Sequence, residues 1–168
     1  MVRRTSAQQV EIARLGARIR NMWSQRLALE KAMAGFGEDF DSDAWTVVFH
    51  SGDPDAVNRG IQITGGFGNL INNLVELLRA GVLTAGLLPG KRPRIETVLR
   101  VVHDDKGLDA KQIAVLEEMY RFRGRLLHAS PDVTADEVHE YVLLLAERFP
   151  AMLENSIKWL AKHGIEFQ

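Results

Sequence analysis

Residues 121–128 read Arg121-Phe122-Arg123-Gly124-Arg125-Leu126-Leu127-His128, and from Asp109 onward the preceding residues place Ile113, Leu116, Met119 and Tyr120 in register with Leu126 and Leu127. Those spacings follow the 3.6-residue period of an amphipathic helix. At about 100° per residue, Arg123 falls within roughly 20° of the middle of that apolar stripe, while Arg121 and Arg125 fall on the opposite, polar face. A guanidinium aimed into a seam requires an anion, a cluster of carbonyls or a dimer cleft, because an unpaired buried charge is very costly. His128 follows at the expected helix end. Histidine is the one side-chain type whose ordinary pKa lies near neutrality. Within one straight helix Arg123 and His128 stand about 140° apart. Either the helix loosens after Gly124, or pairs from two subunits converge.

Working outward, the pattern predicts helices and little else. The first runs from about Ser6 to Met33, with Ile12, Leu15, Ile19, Met22, Leu29 and Met33 in register, and Gly35 and Gly37 ending it. Asp41-Ser42-Asp43 caps a short turn carrying Trp45, Val47, Val48 and Phe49, either a strand or, in this company, a helical turn. Asp53-Pro54 opens a long helix that reaches about Arg79. Gly65 and Gly66 mark either a break in it or the close approach of another helix. Gly81 and Gly86-Leu87-Leu88-Pro89-Gly90 read as loop, and Arg94 to about His103 as a short helix. The final helix starts on a capping box, Thr134-Ala135-Asp136-Glu137, and runs to about His163-Gly164, with a kink expected at Pro150. Five helices with mostly short connections make an all-α antiparallel bundle the economical fold, one domain spanning residues 1–168.

Arg-x4-His at the end of an apolar helix, with Leu126-Leu127 before His128 and a turn at Ser130-Pro131-Asp132 leading to the last helix, resembles the signature of HEPN domains. The likeness covers about residues 109–163. It implies an all-α bundle, a homodimer, and in many members a metal-independent endoribonuclease; other members are non-catalytic interaction modules. On that resemblance Arg123 and His128 are the candidate catalytic pair, RNA the substrate, and an antitoxin or other protein a possible class of partner. No cofactor is called for. Gly124 stands where the family most often has Asn, and Ser130 where toxins silenced by nucleotidylation have Tyr.

Composition narrows the alternatives. The chain has 168 residues and no cysteine, which excludes disulfides, thiolate metal sites and cysteine nucleophiles. No stretch approaches the roughly 18 apolar residues of a membrane span, and the first residues lack a secretory pattern, so a cytoplasmic location is the expectation. The net charge of −1 hides an uneven distribution. Residues 1–31 carry Arg3, Arg4, Arg14, Arg18, Arg20, Arg26 and Lys31 against only Glu11 and Glu30, whereas residues 38–55 carry only acidic charges. A second basic cluster is Lys91, Arg92, Arg94 and Arg100. The bland explanation is solvated helix faces; the functional one is a basic flank, with Arg14, Arg18, Arg121 and Arg125 as RNA-binding candidates.

Other motifs fail on inspection. Gly60 to Gly66 has phosphate-loop glycine spacing, but Gly66-Phe67 replaces the Lys-Ser/Thr that would hold phosphate. His139-Glu140 begins like a zinc-protease helix, yet Leu143 occupies the second histidine position. His103-Asp104-Asp105 reads as a polar helix end, His50 and His163 as isolated, and Trp23, Trp45, Trp159, Tyr120 and Tyr141 as core residues.

Overall fold

A computed structural model of the chain describes residues 5–35, 43, 46, 52–90, 92–128 and 132–167. Five long elements are present: α1 (Ser6–Ala34), α2 (Pro54–Thr84), α3 (Ile95–Asp104), α4 (Ala110–Leu127) and α5 (Ala135–Lys162). No strand occurs among the described residues. The all-α bundle of about five helices read from the periodicity is the observed architecture. The turn expected around Trp45, Val47, Val48 and Phe49 lies outside the described residues, as do His50, Arg3, Arg4 and Lys91.

The helix starts are set by side chains that satisfy the orphan amides of the first turn. Thr5 with Gln8, Asp109 with Gln112 and Thr134 with Glu137 each form a reciprocal capping box. Asp53 caps α2 with Pro54 in its first turn. That helix continues past Arg79 to Thr84, so Gly81 is helical rather than part of a loop. It stops on a left-handed residue, Gly86 (φ 71°), after which the Leu87 amide reaches back to the Val82 carbonyl at 3.0 Å. Helix α5 runs through Pro150 without interruption to Lys162.

Helix α2 is the central element, with α1, α3, α4 and α5 all packed on it. Its glycines let two neighbours close in from different sides. A Cβ on Gly66 would stand 3.4 Å from Leu29 of α1, and one on Gly68 would stand 3.8 Å from Cγ of Arg123 on α4. Of the two readings open for this stretch, the helix is unbroken and closely approached. Helix α5 runs antiparallel to α4, with Tyr141 stacked on Phe122 (4.0 Å between ring centroids) and Asn155 bonded to Gln112. Phe67, Phe122 and Phe149 lie fully buried among leucines and valines of every helix. Each such side chain contributes about 1.5–3 kcal/mol of burial free energy.

Candidate functional site

The last two turns of α4 carry the Arg/His motif, and their orientation follows from what is buried. Leu116, Met119 and Phe122 are the buried residues of α4, whereas Leu127 is 62% exposed. The buried stripe is therefore centred near Met119, and Arg123 lies about 40° from its middle instead of about 20°. Phe122 was missing from the apolar face deduced from sequence because its neighbours are arginines. It sits edge-on to Phe67 at 5.7 Å and flat against Tyr141.

Arg123 is half-buried where α4 crosses α2. Its Nε donates to the carbonyl of Gly68 at 3.0 Å, and its guanidinium carbon lies 5.8 Å from the centre of the Tyr120 ring. No carboxylate among the described residues forms an ion pair with it, and its two Nη groups make no hydrogen bond within this set. His128 is the exposed C-cap of α4, with its backbone amide on the Gly124 carbonyl at 3.2 Å. The helix stays regular through Gly124, so the loosening that would bring Arg123 and His128 together in one chain does not occur.

Arg125 is not the unengaged polar-face residue that its helical position suggests. Its Nη1 and Nη2 donate to the two carboxylate oxygens of Glu137 at 3.0 and 3.1 Å, and Nη2 also lies 3.1 Å from an oxygen of Asp132. This fork-to-fork pair ties the end of α4 to the capping box of α5. Glu137 is held below the usual carboxylate range, first by Arg125 and then by the Thr134 amide. Its position was visible in the sequence as a cap residue; its arginine partner was not. Arg121 is exposed, and among the described residues it bonds to its own helix, Nε to the Glu117 carbonyl at 3.3 Å.

Arg14 and Arg18 lie on α1, on another side of α2. Arg14 is highly exposed beside Glu11 at 3.5 Å, and Arg18 donates to Oδ1 of Asn73 at 3.3 Å. Gly66, which meets α1, and Gly68, which meets α4, point about 160° apart around α2. The structure thus brings Arg121, Arg123, Arg125 and His128 together on one helix but leaves Arg14 and Arg18 across the bundle.

Two further polar constellations escaped the sequence reading. Tyr141 donates to Glu118 at 2.8 Å, and burial, followed by that carboxylate, pushes its hydroxyl up to about 12. At the other end of the bundle, Asp105 accepts hydrogen bonds from Trp159 Nε1 at 2.8 Å, from His163 Nε2 and from Lys162 Nζ at 3.2 Å. The Trp159 and His163 bonds lower its carboxyl from 3.8 to about 2. His163 is therefore a partner of Asp105 and not isolated. Among the described residues no group of three or more acidic or histidine side chains is placed to hold a metal, and no helix is long and apolar enough to cross a membrane.

Cavities open on the surface beside the first turns of α1 (about 420 Å³), between α4 and α5 near Arg148 (about 160 Å³), and between α1 and α2 (about 350 Å³). None of the three is lined by Arg123 or His128. No family model, no curated protein and no solved structure matches this chain.

Proposed function

We propose that the chain is a HEPN-like, metal-independent endoribonuclease that acts as a homodimer through the motif helix. The observation that carries this reading is the state of Arg123. Arg123 is fixed at Nε by the Gly68 carbonyl and lies against the Tyr120 ring, while its Nη groups make no hydrogen bond and meet no carboxylate among the described residues. A half-buried, pre-oriented guanidinium of that kind is suited to a phosphate. In the proposed reaction the RNA 2′-hydroxyl attacks the adjacent phosphorus and the 5′-oxygen leaves, giving a 2′,3′-cyclic phosphate. His128 takes the proton from the hydroxyl or supplies one to the leaving oxygen. Arg123 stabilises the extra negative charge on the phosphorus centre. Because α4 stays helical between them, the two residues serve one phosphate only if they come from different subunits.

The second reading is a non-catalytic interaction module, favoured by the same Nε–carbonyl bond, which gives Arg123 a packing role between α2 and α4. Purified protein incubated with mixed RNA in excess chelator, beside His128→Ala, separates them. The enzyme cleaves, leaves cyclic phosphate ends, and loses that activity in the variant. Intact RNA throughout, or equal cleavage by both proteins, supports the module. Light scattering at micromolar concentration is expected to show a dimer; a cleaving monomer would remove the two-subunit site.

A further inference from the structure

Helices α1 and α2 leave a groove whose polar lining is made of carboxamides. Gln25, Gln62 and Asn69 border it, Leu29 and Ile61 supply apolar surface, and Gly65 leaves one wall bare. Among the described residues none that lines it is charged. Its volume of about 350 Å³ is at the small end of the range for small-molecule sites.

The carboxamides are not equivalent. Asn73 Nδ2 donates to Gln25 Oε1 at 3.1 Å, while Asn73 Oδ1 accepts from Arg18 at 3.3 Å. That chain fixes the Gln25 amide by its oxygen and leaves its NH2 group as a donor at the groove. Gln62 and Asn69 make no hydrogen bond among the described residues, so each has both a donor and an acceptor to offer. Donor and acceptor pairs on an amide plane match the edge of a nucleobase, and unpaired RNA bases are read in this way.

We infer that the α1/α2 groove binds the base of a single-stranded ribonucleotide. As a substrate subsite this rests on the nuclease reading; as a base-binding groove it is tested without any cleavage. Amide spectra of the isotope-labelled full chain are recorded against each nucleoside 5′-monophosphate, ribose 5-phosphate and N-methylacetamide. Saturable shifts at Gln25, Gln62, Gly65 and Asn69 are expected with at least one nucleotide at millimolar concentration. Ribose 5-phosphate and N-methylacetamide leave those residues unmoved.

Gly65→Leu provides the variant, because a Cβ there meets nothing within 4 Å and the fold has room for it while the groove does not. It should weaken nucleotide binding by at least about tenfold. Absence of shifts up to about 10 mM, the same shifts with ribose 5-phosphate or with N-methylacetamide, or unchanged binding by Gly65→Leu overturns the proposal. Base binding by a protein that never cleaves RNA keeps the groove and ends the nuclease reading; cleavage without base binding does the reverse.

Discussion

His128 and Arg125, three residues apart, make opposite demands on the fold. His128 is exposed at a helix end, so His128→Ala is expected to cost no more than about 1 kcal/mol of stability. As general acid or base, its loss should lower the RNA cleavage rate by at least about 100-fold. A variant that cleaves at the native rate would sink the catalytic assignment, and one that unfolds would show the residue to be structural. Arg125→Ala has the reverse signature. It leaves the Glu137 carboxylate without its forked partner and frees the corner between α4 and α5, so the melting temperature should fall measurably. The charge-reversed pair Arg125→Glu with Glu137→Arg should recover part of the loss, whereas either single reversal should not.

At the scale of elements, glycines decide how closely helices pack, and two of them predict opposite signs. A Cβ on Gly81 would stand 2.9 Å from Trp159 Cζ3 and closer still to Leu160. Both neighbours are buried, and Trp159 is held by its bond to Asp105, so neither can give way. Gly81→Ala should therefore destabilise by about 1–3 kcal/mol in denaturant titration. Gly65→Ala should instead stabilise by up to about 1 kcal/mol, since its Cβ meets open space in a helix interior. Equal effects at the two positions would contradict this packing. The helices themselves were legible in the sequence, because caps such as Asp109 and Thr134 and the 3.6-residue period are local signals. Of the close approaches, that at Gly65-Gly66 was one of two readings, and the others left no local signal. Nothing adjacent to Gly81 announces a tryptophan from α5, and nothing around Arg125 announces Glu137 as a salt-bridge partner. The Arg/His motif could be found by its spacing, but the Gly68 carbonyl that orients Arg123 is 55 residues away.

At the scale of the molecule, α2 packs against α1, α3, α4 and α5, and amide exchange should be slowest along its buried stretch from Leu70 to Leu78. Exchange in α1 that is slower than in α2 would be inconsistent with that arrangement. The Asp105 cluster adds a pH dependence. Its carboxyl is held at about 2 in the folded chain, against a value of 3.8 for the unperturbed group. The folded state therefore favours the ionised form, and this stabilisation is complete above the unfolded value. It is lost as pH falls from about 4 to about 2. The melting temperatures of the native chain and Asp105→Asn should differ near neutrality and converge in acid; a constant gap would assign the effect to packing alone.

The far end of the chain has a consequence for the order of folding. Ile165 is buried, and Phe167 packs on Gly16 in the first half of α1, 3.2 Å from where a Cβ would stand. That contact joins segments separated by nearly the whole sequence, so its loop-closure entropy is among the largest in the molecule. During synthesis α1 emerges well before this partner. Its N-terminal half must wait, with part of its apolar face uncovered, until residue 167 has left the ribosome.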